Sequence, residues 1–184
     1  MKIVFSVILL MLINHHNASA QLAKGTWLLG GNCSYSATKF NLPGGGLSST
    51  NGALSINPNI GYFLLDKFVL GLKPGYERIS VGDVIKQVNN TYKTGSFARY
   101  FFLPIEKQTN VFGEASYQYG YSKARNGGST NINILSGNVG MAAFLNTSVA
   151  LELSLGYSYY VYDNDPALRS VVAGIGLQFY LDNL

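Results

Sequence analysis

The tightest constraint on the fold is the alternation that fills the chain from Val149 to Leu181. Val149, Leu151, Leu153, Leu155, Tyr157, Tyr159 and Val161 take every odd position, with Ala150, Glu152, Ser154, Gly156, Ser158, Tyr160 and Tyr162 between them. After a polar turn at Asn164, Asp165 and Pro166 the scheme returns. Val171, Ala173, Ile175, Leu177, Phe179 and Leu181 share one face, and Val172, Gly174, Gly176, Gln178 and Tyr180 share the other. A period of two held over a dozen residues specifies a strand, because successive side chains leave opposite faces.

The chemistry of the faces decides which one points inward. A soluble barrel would hide the aliphatic face and offer Lys, Glu and Asp to water on the other. Here the second face is mostly small residues with a single Glu, which suits packing. The aliphatic face carries no charge and ends in aromatics at both rims, as a lipid-facing band between aromatic girdles does. Each stretch has about the 9–11 residues that a tilted strand needs to cross a bilayer. The pattern predicts a transmembrane β-barrel.

Composition agrees. Charged residues make up 12% of the 184, against about 25% in ordinary soluble domains, and 21 Gly and 13 Tyr suit tight turns and interfacial rings. Lys2, the apolar run Ile3 to Ile13, and Ala18-Ser19-Ala20 before Gln21 read as a secretory signal peptide over residues 1–20. The barrel domain is then expected over residues 21–184. The residue directly after the cut is Gln21 and not Cys, which argues against a lipoprotein anchor, and no later apolar run approaches the ~18 residues of a membrane helix. Without Lys2, 12 basic residues stand against 9 acidic ones, a net charge of +3 and only a mild bias. Nucleic-acid binding would need basic clusters, so none is expected. Cys33 is the one cysteine, which excludes an internal disulfide.

Upstream, the alternation predicts six more strands. The first, about Thr26 to Thr38, turns Trp27, Leu29, Gly31, Cys33 and Tyr35 outward; a Gly/Ser-rich loop follows from Asn41 to Gly52. The second, about Ala53 to Leu65, turns out Leu54, Ile56, Pro58, Ile60, Tyr62 and Leu64. A tight turn at Asp66 and Lys67 leads to a third with Phe68, Leu70, Leu72, Pro74 and Tyr76 outward and Lys73 and Glu77 inward. A turn centred on Asp66 sets Pro58 opposite Pro74, and a shared bend or bulge is expected there, since proline removes a ladder bond. A loop from Ser80 to Thr91 precedes the fourth strand, Tyr92 to Leu103, with Lys93, Phe97, Arg99 and Phe101 inward. The fifth has Val111, Ala115, Tyr117, Tyr119 and Tyr121 outward and Phe112, Glu114, Ser116 and Gln118 inward. A third long loop is expected from Lys123 to Thr130. The sixth, about Ile132 to Leu145, sets Leu135, Val139, Met141 and Ala143 against Ser136, Asn138, Gly140 and Phe144. Eight strands with alternating short and long connections form an up-and-down antiparallel barrel, and the usual rule for such connections would place both termini in the periplasm.

The signal peptide, Lys24-Gly25-Thr26-Trp27-Leu28-Leu29-Gly30-Gly31 and Phe97-Ala98-Arg99-Tyr100-Phe101-Phe102 resemble small outer-membrane β-barrel proteins of Bacteroidetes-type bacteria, similar in architecture to the OmpA, OmpX and OmpW barrels. The resemblance covers the predicted barrel. It implies an outer-membrane location, contact with outer-membrane lipid and lipopolysaccharide, and assembly by the barrel-assembly machinery. It implies no single function, because such barrels serve as anchors, adhesins or small-solute channels. Gly176-Leu177-Gln178-Phe179-Tyr180-Leu181 looks like the family's aromatic assembly signal, although Asp182-Asn183-Leu184 follow it.

Both histidines, His15 and His16, fall in the signal segment. Outer-membrane phospholipases, lipid A deacylases, palmitoyltransferases and omptin-type proteases resemble one another in relying on His, and Ser without a base is a weak nucleophile. No catalytic, cofactor or metal site is therefore expected. The positive signal is a set of inward charges. If the loop between the third and fourth strands centres near Lys86, Lys73 falls beside Arg99. If the next turn centres near Glu106, Arg99 faces Glu114, and Glu152 lies at similar depth. Lys73, Arg99, Glu114 and Glu152 are thus expected to form a lumen ion-pair network, flanked by Phe97, Phe101, Phe112 and Phe144. Trp27, Tyr117, Tyr119, Tyr157, Tyr159 and Phe179 are expected in the lipid-facing girdles. The outer loops carry Lys86, Lys123, Arg125 and Arg169 against Asp83, Asp163 and Asp165, and could meet a surface partner. The expectation is a non-enzymatic outer-membrane barrel with a structural or surface-interaction role. The alternatives are a narrow channel for small or apolar solutes and a soluble lipid-carrying barrel.

Overall fold

The computed structural model describes residues 22–41, 48–81, 87–124, 128–163 and 167–182. The signal segment, Gly44 to Gly46, Asp83, Lys86, Arg125, Asp165 and the last two residues lie outside that set. The described residues form nine strands: β1 (Thr26–Asn41), β2 (Ser48–Leu65), β3 (Phe68–Leu72), β4 (Gly75–Val81), β5 (Gln87–Phe101), β6 (Thr109–Ala124), β7 (Ser129–Phe144), β8 (Val149–Tyr162) and β9 (Leu168–Asp182). Each pairs antiparallel with its neighbours, and β1 closes the ring by pairing with both β2 and β9. Because β3 and β4 each lie between β2 and β5, they are two halves of one stave. The result is an eight-stave closed barrel with no edge to protect.

The faces fall as the alternation predicts. Leu153, Leu155, Tyr157, Val171, Ile175 and Phe179 are exposed on the outside, while Ala150, Glu152, Gln178 and Tyr180 are buried inside. A belt of exposed Leu, Val, Ile and Tyr on this scale would precipitate in water, and lipid is the solvent it suits. A soluble lipid carrier would need the opposite arrangement, so that alternative is excluded. Cys33 is exposed on the same outer frame.

Three register details correct the sequence reading. The ladders from β5 place Leu72 opposite Ser96 and Gly75 opposite Lys93, so the connection between the third and fourth staves centres near residue 84 and not at Lys86. Val69, and not Lys73, therefore faces Arg99. The strands also outrun their predicted ends. Connections occupy only 42–47, 82–86, 125–128 and 163–167 at one end of the barrel, against 66–67, 102–108 and 145–148 at the other. β6 and β7 stay paired out to Lys123 and Ser129, within the stretch from Lys123 to Thr130 expected as an outer loop. Polar residues there remain in the ladder because a strand projecting from a membrane still satisfies its backbone by pairing.

The third stave is interrupted at Lys73 and Pro74. The ladders on either side, Ile60 with Leu72 and Ile56 with Tyr76, set Pro58 across from Pro74. The Lys73 N–H still donates to the Gly95 carbonyl at 2.9 Å, and the Lys73 carbonyl accepts from the Gln118 side chain at 2.8 Å. On the far side of β2, Gly31 adopts φ 143, a conformation open to glycine, and a Cβ there would overlap the Asn57–Pro58 backbone. Gly31 thus lets β1 approach the proline-bearing strand.

Candidate functional site: the charged layer of the lumen

The lumen is built in two unlike halves. At the end bearing the turns 66–67, 102–108 and 145–148 it is filled by Leu22, Leu28, Phe63, Val69, Phe97, Phe101, Phe112, Ala142, Phe144, Ala150 and Tyr180, all buried. The rings of Phe63 and Phe101 stack at 6.0 Å, and Tyr180 packs on Phe144 at 5.1 Å. The segment before β1 seals this end. Leu22 is fully buried, its carbonyl accepts from Lys67 N–H at 2.8 Å, and Gly25 N–H donates to the Phe63 carbonyl at 2.9 Å.

The charged layer lies directly on that plug. Arg99 and Glu114 are register partners on β5 and β6. The guanidinium donates to Glu114 Oε2 through Nε at 2.9 Å and Nη2 at 2.7 Å, and to Glu152 Oε1 through Nη1 at 2.7 Å. Lys73 reaches the other oxygen of Glu114 from the broken stave, across the intervening strand β5. Asn138 adds a donor to Glu114 at 3.2 Å; Gln178 and Tyr180 donate to Glu152 at 3.3 and 3.4 Å. Below, the Arg99 guanidinium rests on the Phe112 ring, 4.2 Å from its centroid. Arg99, Glu114 and Glu152 are each about 5% exposed or less, so their charges persist through mutual pairing. The structure thus brings together all four residues of the expected network, with Glu114 as the hub that serves both bases.

Sequence reasoning missed the amides that complete this layer. Gln178, Asn138 and Gln118 stand on inward frames, but an amide's partner follows from register and rotamer, which alternation does not encode. A second inward pair, Lys93 with Glu77 at 3.7 Å, lies farther from the plug. The inward frames contain both residues without indicating that they meet.

Beyond the charged layer the lumen opens into a polar chamber of about 120 Å³ lined by Asn32, Asn57, Asn59, Asn138, Ser154 and Gln178, among others. Two of its buried acceptors, Asn59 Oδ1 and Gln178 Oε1, have no protein partner. Glu152 holds the amide nitrogen of Gln178, which sends its oxygen over Gly30, where any Cβ would collide with it. Farther along, the inward Asn32 is exposed and Val172 is 50% exposed, so this half of the lumen is wet.

On the outer wall Tyr117, Tyr119, Tyr157 and Phe179 are exposed, Tyr159 is half-buried, and Trp27 is half-buried in an edge-to-face contact with Tyr62 at 5.0 Å. Among the loop charges, Asp163 accepts from Asn131 at 2.8 Å and Arg169 lies 5.9 Å from the Tyr159 ring. Among the described residues no three His, Cys, Asp or Glu side chains converge as a metal site requires.

A closed eight-stave antiparallel barrel with an apolar outer belt and a side-chain-filled lumen is the architecture of small outer-membrane barrels. No protein-family model matches the chain, and no curated protein sequence matches it. Solved structures match its fold. Neisserial surface protein A (NspA) is 16% identical, with 85% of this chain and 97% of that one covered at a TM-score of 0.56. The N-terminal β-barrel domain of Pseudomonas aeruginosa OprF is 15% identical, covering 86% and 98% at 0.52. The outer membrane protein OprG from Pseudomonas aeruginosa is 13% identical, covering 88% and 98% at 0.51. At such identities the likeness is one of fold.

Proposed function

We propose that this chain is a non-enzymatic outer-membrane β-barrel that works as a structural element and as a surface for interaction, through the connections at the end away from the plug. The observation that carries this reading is the filled lumen. A stack of aromatic rings capped by Arg99, Glu114, Glu152 and Lys73 leaves no continuous aqueous path through the plugged half. The apolar belt and the likeness to three outer-membrane barrels support the location. On this reading both termini lie in the periplasm, lipopolysaccharide and outer-membrane lipid surround the wall, and the barrel-assembly machinery inserts it. An extracellular partner would meet the connections 42–47, 82–86, 125–128 and 163–167. The test is reconstitution in planar bilayers after fractionation to the outer membrane and heat-modifiable gel mobility have been checked. The expected result is no steady conductance.

A second reading, a narrow channel for small solutes, draws on the wet chamber above the charged layer. It requires the Arg99 pairs to part and the rings to move. A reproducible open state that shifts on Glu114 or Arg99 substitution, in barrels of unchanged stability, would favour the channel over the plug.

A further inference from the structure

The outer wall carries two adjacent, register-matched rows near the end away from the plug. The first is aromatic: Tyr76 pairs with Tyr92, and Tyr92 with Tyr121. Tyr92 and Tyr121 are exposed, and the Tyr76 and Tyr92 rings pack at 5.2 Å. Two residues farther along each strand, Arg78 pairs with Asn90, and Asn90 with Lys123. Arg78 and Lys123 are exposed, and among the described residues no acidic side chain forms an ion pair with either. The Tyr76 hydroxyl donates to Asn90 Oδ1 at 2.9 Å. That contact engages the amide oxygen, so the NH₂ group is the end of the side chain left to donate.

The second row therefore offers a guanidinium, an amide NH₂ and an ammonium: hydrogen-bond donors with two positive charges. At the usual strand spacing Arg78 and Lys123 stand roughly 10 Å apart with Asn90 midway, so both long side chains can converge above the amide. A tetrahedral oxyanion, rich in acceptors, is the group that satisfies such a set. Position selects its source. Tyrosines mark the boundary of an apolar belt with water, so a row just beyond them sits at the height of lipid headgroups, and an acyl chain can follow the strip of tyrosines below.

We propose that Arg78, Asn90 and Lys123 form a seat for the phosphate of an anionic lipid in the leaflet at the end away from the plug. The proposal rests on the membrane placement above and adds to it a defined lipid contact. Tyr76 acts as a positioning residue that orients the Asn90 amide.

Native mass spectrometry of the refolded barrel in detergent, with dimyristoyl phosphatidylglycerol and dimyristoyl phosphatidylcholine in equal amounts, tests it. Wild type should retain the phosphatidylglycerol in preference, on the order of ten-fold, as two cations at a lipid surface would provide. The double variant Arg78→Gln with Lys123→Gln should lose the preference, and Lys24→Gln with Lys107→Gln, an equal charge change at the plugged end, should keep it. Retention by the first variant, or equal loss in both, would overturn the seat. Displacement by millimolar inorganic phosphate would overturn the lipid as the occupant. Heat-modifiable mobility in phosphatidylcholine vesicles checks membrane insertion separately: a barrel that inserts but shows no lipid preference refutes the seat alone.

Discussion

The two halves of the lumen follow opposite rules of packing, although the same staves build both. Near the turns, Phe63, Phe101, Phe112, Phe144 and Tyr180 fill the bore and exclude water. Beyond Arg99 the inward positions are Asn32, Asn57, Asn59, Ser154 and Val172, and the bore is wet. The charged layer sits at the junction, with Arg99 lying on an aromatic ring below and its carboxylate partners bordering the chamber above. The contrast shows how a narrow barrel can hold charge at depth. The dry half supplies rigidity and a cation–π floor, the wet half supplies polar partners, and neither alone would stabilise the layer.

The comparison can be broken at the junction first. Glu114→Ala leaves Arg99 and Lys73 without their shared carboxylate and should cost about 3–5 kcal/mol, read by denaturant unfolding in lipid vesicles. Because Arg99 also holds Glu152, recovery requires the whole cluster to become apolar: Arg99→Met with Glu114→Leu and Glu152→Leu should regain much of that loss, and a triple variant as weak as the single one would show that the charges do not act as a unit. Within the dry half, Phe101→Ala should also cost about 3–5 kcal/mol through a cavity; a loss near zero would mean that the plug is loosely packed. Across the wall at mid-depth, Leu153→Arg should cost about 2–4 kcal/mol on the lipid side, with much less for Ser154→Asn on the inner side. Equal tolerance in the same vesicle assay would reverse the faces. The smallest effect belongs to the wet half. In a Cys33→Ser background, Val172→Cys should change stability by no more than about 0.5 kcal/mol and react quickly with a charged, water-soluble thiol reagent. Ala142→Cys, behind the plug, should react slowly; equal rates would remove the distinction between the halves.

Much of this was legible in the alternation, for a reason specific to strands. A face depends on the parity of a position, so an error of two residues in a turn's centre leaves Lys73 inward while changing the residue opposite it from Arg99 to Gly95. That is what happened at the connection near residue 84, where Val69 takes the place expected for Lys73. Lys73 still joins the network because its long, flexible side chain spans the offset to Glu114. The contacts of Gln178, Gln118 and Asn138 were not legible, since each is settled by the rotamer of one amide among several neighbours. Strand ends were equally hidden, because Ser, Thr and Asn serve a projecting hairpin as well as a loop.

The break at Lys73 and Pro74 has a consequence for timing. The two groups that repair it come from later in the chain, the Gly95 carbonyl from β5 and the side-chain amide of Gln118 from β6. A sheet that had inserted only as far as β4 would hold the Lys73 carbonyl in hydrocarbon without that amide, at a cost of several kcal/mol. Growth one hairpin at a time is therefore unfavourable past this point. The backbone of the third stave is fully satisfied only once β6 has joined the sheet beyond β5, so this part of the barrel inserts as a unit of several strands.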